Sequence, residues 1–214
     1  MRFITAICLA LILMAGSCKE SASTEASGVT NSEEAPETLA TAYKIHDANP
    51  AWASEELNER ISPARSVILP KSKNDFQIAI HYSAPGVKGR TIWDSLVMLD
   101  KVWRTGANEA TIIEFSHDVH IQKSHLKAGS YSLFTIPKAN GWTVILNSVS
   151  DQWGAYDYSD EEDVARFDVE NEEVEMTEEL NFDITRDSDT RASINFKWDT
   201  RGFKLPIEQA KDSQ

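Results

Sequence analysis

The sequence predicts an all-β protein: an antiparallel β-sandwich, or a partly open barrel, with one or two short helices. Three observations point there. Apolar side chains recur at every second position in Phe76-Ile78-Ile80-Tyr82, Leu180-Phe182-Ile184 and Ala192-Ile194-Phe196-Trp198, the period of a strand with one buried face. Further strand candidates at 64–69, 110–116, 130–136, 142–147, 164–169 and 203–207 are separated by turn-forming residues, the spacing of sandwiches and barrels. Between two of them, Lys138-Ala139-Asn140-Gly141 reads as a hairpin, because Asn-Gly tolerates positive φ.

Ahead of these strands the chain changes character three times. Met1-Arg2 and the apolar run 3–15 (FITAICLALILMA) end in Ala15-Gly16-Ser17-Cys18. The run is too short to cross a hydrocarbon core of ~30 Å, and small residues before a cleavage point mark a signal peptide over 1–17. Cys18 directly after them resembles the lipobox of bacterial lipoproteins, with Ala15 where Leu is usual, so Cys18 is expected to carry lipid. Each buried CH₂ of such a chain is worth ~0.8 kcal/mol, and several acyl chains anchor permanently. The expected location is therefore the bacterial cell envelope, at the outer membrane, with the periplasmic or surface side open. Residues 18–42 are rich in Ser, Thr, Ala and Glu and lack aromatics, which predicts a flexible tether. Residues 43–61 form a short helical lead-in, with Asn49 as cap and Pro50 at the first helical position. A second short helix is expected over Trp93–Lys101 (WDSLVMLDK), capping one end of the sandwich.

Cysteine and charge restrict the chemistry. The only cysteines are Cys8, inside the signal, and Cys18. A folded domain beyond them has no disulfide, no thiolate metal site and no cysteine nucleophile. Its stability must come from a packed core, supplied by seven of the chain's eight Phe (all but Phe3), six Trp and five Tyr. The formal charge of −13 is concentrated in 157–189, where fifteen Asp and Glu face only Arg166 and Arg186. Nucleic acid and anionic membrane surfaces are poor partners for such a segment. It reads as a solvated face; a calcium site around Asp157, Asp160, Glu161, Glu162 and Asp163 is the alternative, without the EF-hand spacing.

Several segments together resemble one family. They are Ser62-Pro63-Ala64, 82–90 (YSAPGVKGR), 101–111 (KVWRTGANEAT), 126–137 (LKAGSYSLFTIP) and 151–156 (DQWGAY). The pattern resembles the DUF2911 domain of bacterial envelope proteins and covers about 62–208, leaving 209–214 as a tail. The resemblance implies a place in the envelope but no established activity.

Two polar-aromatic turns are the candidate ligand site. In the first, Trp103 offers a stacking face, Arg104 a planar fork of donors, Asn108 a donor and an acceptor, and Glu109 an acceptor. Gly106 is expected to supply a backbone conformation that other residues resist. In the second, Trp153 and Tyr156 flank Gly154 as a platform for a sugar face. If the turns converge, they suit a small polar or carbohydrate-like ligand. The plainer alternative makes Trp103 core and pairs Arg104 with Glu109. A structural or protein-docking role through the acidic face is the second functional reading. A hydrolase is the third, with Glu109 as general acid and Asp94, Asp151 or Asp157 as partner. No cofactor or metal is expected. His117, His120 and His125 are close in sequence, but 117 and 120 face apart in a strand. Ser116-His117-Asp118 is adjacency rather than a triad, and His81, out of phase with Ile80 and Tyr82, falls exposed or on the second sheet face.

Overall fold

Alternating apolar positions become ten antiparallel strands in a computed structural model that describes residues 62–211. The signal, Cys18 and its tether, the helical lead-in at 43–61 and residues 212–214 lie outside the described residues. In chain order the strands are β1 (Ala64–Ile68), β2 (Ile78–Ser83), β3 (Thr111–Phe115), β4 (Val119–Ile121), β5 (Ser124–Leu126), β6 (Gly129–Lys138), β7 (Gly141–Asn147), β8 (Asp163–Glu170), β9 (Glu172–Arg186) and β10 (Arg191–Gln209). One sheet runs β1-β2-β3-β6-β7-β8 and the other β5-β4-β10-β9. The two are not closed into a barrel, so the sandwich form of the expectation holds.

The core lies between the sheets. Ile78, Ile80, Tyr82, Ile113, Phe115, Trp142 and Val144 of the first sheet meet Phe182, Ile194, Phe196, Trp198, Phe203 and Leu205 of the second. β10 changes phase on the way. Ala192, Ile194, Phe196 and Trp198 face inward at even positions, Phe203, Leu205 and Ile207 at odd ones. The phase changes around Asp199, itself at φ 55°, where two register shifts leave extra residues on the partner strand β9 (Lys197 pairs with Asn181, Asp199 with Thr177, Arg201 with Glu173). The sequence therefore reads as two strands where one continuous strand runs. Four tryptophans gather beside this bulge: Trp93, Trp103, Trp142 and Trp198 lie 5.2–6.2 Å apart in the ring pairs that touch. Arg201 lays its guanidinium over Trp142 (4.8 Å) and Trp93 (5.2 Å).

Two local expectations fail. Residues 93–101 form turns rather than a helix. Asp94 (φ 58°) and Asp100 (φ 54°) are left-handed, and both Leu96 and Val97 amides converge on the Ile92 carbonyl (3.0 and 2.9 Å). The β6–β7 hairpin forms where expected but for another reason. Lys138 pairs with Gly141, so Ala139-Asn140 is the two-residue turn, and neither has positive φ. Gly141 is a ladder residue paired also with Glu170 of β8, where a Cβ would stand 2.8 Å from the Val169 carbonyl oxygen. Close strand approach demands this glycine.

Candidate functional site

The first polar-aromatic turn is fastened to the six-stranded sheet by its backbone. Trp103 exchanges hydrogen bonds with Thr135 of β6 (2.7 and 2.8 Å), and the Ala107 amide donates to the Ser83 carbonyl (3.1 Å). Thr105 is left-handed (φ 54°) and fully buried. Its hydroxyl donates to Thr135 Oγ1 (3.1 Å), and its carbonyl accepts from Thr111 Oγ1 (2.9 Å). Asn108 is left-handed too (φ 57°), whereas Gly106 is not. The expectation for Gly106 is corrected: it is glycine for space. A Cβ there would meet Ser83 O and Thr111 Oγ1, each at 3.1 Å.

This anchoring sends neighbouring side chains in different directions. Trp103 is 9% exposed and stacks on Trp198 (5.7 Å, 18° between planes). Arg104 is half-buried and makes no ion pair with Glu109 within the described residues. Burial pulls its pKa below the ordinary arginine value, against the fields of Tyr156 and Glu109. Its Nε is buried without a hydrogen-bond partner. Glu109 Oε2 accepts from Ser83 Oγ (3.3 Å), and Asn108 Nδ2 donates to the Ser62 carbonyl (3.4 Å).

The second turn lies against the first. The Ala110 amide donates to the Gln152 carbonyl (3.1 Å), and a Cβ on Gly154 would stand 3.6 Å from the Asn108 carbonyl oxygen. Trp153 is 54% and Tyr156 83% exposed, so neither plugs the core. The two turns are thus neighbours, with Arg104 within electrostatic reach of Glu109 and Tyr156. Trp103 turns away into the core.

Trp103 and Arg104 instead line an open cleft of about 270 Å³. Other walls come from Trp198, from Ser62, from Leu96 and Val97 of the 93–101 turn, and from the segment after β2, which contributes Gly86, Lys88 and Arg90. That segment is tied to the second sheet: the Val87 amide donates to Glu178 O (2.7 Å) and the Leu180 amide to Pro85 O (2.9 Å). Lys88 (φ 48°) and Gly89 (φ 69°) then turn the chain, and Arg90 hooks back to the Val87 carbonyl (3.1 Å) and to that of Gly86. Lys88, Arg90 and Trp198 were not among the sequence-derived site residues. The one sequence signal available was a pair of cations around a glycine in a chain otherwise rich in acids.

Other expectations find their places. His81 is 1% exposed, on the face of β2 opposite Ile80 and Tyr82, between Ser66 Oγ (2.8 Å from Nδ1) and Glu114 Oε2 (3.4 Å from Nε2). These three residues bridge β1, β2 and β3. His120 and His125 are exposed cross-strand neighbours. Among the described residues, no group of three His, Cys, Asp or Glu is placed to hold a metal ion. Within the acidic segment, Asp163 is engaged by Asn147, Tyr158 and Arg166, and Glu162 by Ser148.

A family model described as "Protein of unknown function (DUF2911)" matches residues 62–207. No curated protein and no solved structure matches the chain.

Proposed function

Since the chain belongs to the DUF2911 family of proteins of unknown function, we propose from the cleft itself that it is a non-catalytic binding module. In this reading it is held to a bacterial cell envelope by lipid on Cys18 and takes a small polar or carbohydrate-like ligand. One observation carries the reading. A cleft of about 270 Å³ has Trp103 and Trp198 among its walls and Arg104 at its side. Aromatic walls with a few convergent polar groups are the ordinary make-up of a small-molecule site, and this volume sits at its small end. In this reading the neighbouring turns, which carry Asn108, Glu109 and the exposed Trp153 and Tyr156, extend the surface available to a ligand. Among the described residues, the lining of the cleft contains no Asp or Glu. It therefore offers no facing pair of carboxylates, the arrangement that glycoside hydrolysis requires.

Two measurements test this. Tryptophan fluorescence of the full chain in detergent, titrated with neutral and acidic sugars, should respond saturably, because Trp103 and Trp198 line the cleft. A ligand at a hundred times its Kd adds ~2.7 kcal/mol of stability, so the same compound should raise Tm by several degrees. Silence of both signals across the panel counts against the cleft as a ligand site. Separately, Cys18→Ser should move the protein from the membrane to the soluble fraction; retention in the membrane would refute the anchor.

A further inference from the structure

Resting on the reading of the cleft as the ligand site, we infer that its ligand is an anion, bearing a carboxylate or a phosphate. The argument is one of charge placement. The chain has 34 acidic residues against 21 basic ones, yet among the described residues the cleft is lined by Lys88, Arg90 and Arg104 and by no acidic one.

Elsewhere the excess acid is put to use. Arg65 pairs with Glu179 (3.0 Å), Arg166 with Asp163 (2.7 Å), Arg191 with Glu208 (3.1 Å), Lys138 with Asp168 (2.9 Å) and Lys127 with Asp118 (2.8 Å). The three cleft cations make no such ion pair among the described residues, as Arg186, Arg201 and several lysines also do not; what sets them apart is that they meet in one cleft. Arg90 spends donors on the carbonyls of its own turn. Glu178, on the neighbouring strand, is engaged by the Lys88 backbone N–H (2.8 Å) rather than by the ammonium. Arg104 is the most exacting case, half-buried with an Nε that finds no acceptor.

A guanidinium partly removed from water is unfavourable unless neighbouring charge offsets the burial, and the fields of Tyr156 and Glu109 offset that of Arg104 only in part. An incoming carboxylate or phosphate supplies that charge and two acceptors in the geometry of the fork. Lys88 and Arg90 add to the positive field around it. A neutral sugar would fill the same volume and add no charge to offset the burial of Arg104.

The test uses the full chain in detergent and three probes of similar size: glucuronate, glucose 6-phosphate and glucose. Affinities are measured by calorimetry at low and high salt. At least one acidic probe should bind about tenfold or more tightly than glucose, and the tighter of the two identifies the anionic group. Its affinity should fall with salt, by on the order of 10–100-fold in Arg104→Gln, and to a smaller extent in the exposed variant Lys88→Ala. If glucose binds as well as both acids, or if neither substitution changes the affinity for them, the charge inference is overturned and the cleft reading survives. If no probe binds, both fall.

Discussion

Gly106→Ala isolates the physical reason for the turn that carries Arg104. Gly106 has ordinary backbone angles, but a Cβ would sit 3.1 Å from both Ser83 O and Thr111 Oγ1. Neither neighbour is free to yield. Ser83 O accepts from the Ala107 amide, and Thr111 Oγ1 donates to the Thr105 carbonyl. Overpacking of this kind costs about 1–3 kcal/mol, offset by about 0.4–1 kcal/mol from the stiffer unfolded chain. The net expectation is about 1–2 kcal/mol destabilising. Gly89 is the converse control, with φ 69° and no atom within 4 Å of a built Cβ. Its penalty is conformational, roughly 1–2 kcal/mol before the same offset. Asparagine separates the two causes, since it tolerates left-handed angles but is larger than alanine. In urea denaturation at constant m, Gly89→Asn should recover most of what Gly89→Ala loses, whereas Gly106→Asn should be worse than Gly106→Ala. Should Gly106→Asn match or exceed Gly106→Ala in midpoint, the steric account is wrong.

Three further outcomes follow from the packing and the charges. Phe196 is fully buried, against Phe203 (5.0 Å), Phe182 (5.2 Å) and Trp142 (5.4 Å); Phe196→Ala should cost about 3–5 kcal/mol in chemical denaturation, much of the margin of an ordinary domain. Glu114→Ala, which breaks the buried contact with His81, should cost about 1–3 kcal/mol, against under about 1 kcal/mol for Glu179→Ala in the exposed pair with Arg65; equal midpoints for the two would refute the ranking. The Tyr158 phenol is pushed up to about 12 by burial and by the neighbouring Asp163 carboxylate. The folded state therefore keeps a proton that the unfolded state loses near the ordinary tyrosine value of 10.0, so stability should decline as pH rises from that value towards about 12. An ultraviolet phenolate titration should show a late phase, shared with the also raised Tyr82 and Tyr131, that Tyr158→Phe diminishes.

Much of the sandwich is legible in the sequence because a strand with one buried face writes its period into neighbouring residues. Phe76 to Tyr82, Leu180 to Ile184 and Ala192 to Trp198 show it directly. β4 and β5 escaped notice because strands of three residues are too short to show a period. The far half of β9, from Glu172 to Glu179, escaped because both its faces are largely polar. The turn over 93–101 looked helical from composition, yet two left-handed aspartates decide otherwise.

The site divides along the same line. That Trp103, Arg104, Asn108, Glu109, Trp153 and Tyr156 are chemically equipped for a ligand could be read from the residues alone. Which of them share a surface could not, because side-chain direction depends on backbone bonds to Thr135, Ser83 and Gln152, distant in sequence. Those bonds turn Trp103 into the core beside Trp198 and leave Arg104 in a cleft with Lys88 and Arg90. Composition and periodicity determined the strands and the excess of negative charge. Only long-range strand pairing decided where the unpaired cations meet, since a local pattern holds no information about which distant residues a folded chain brings together.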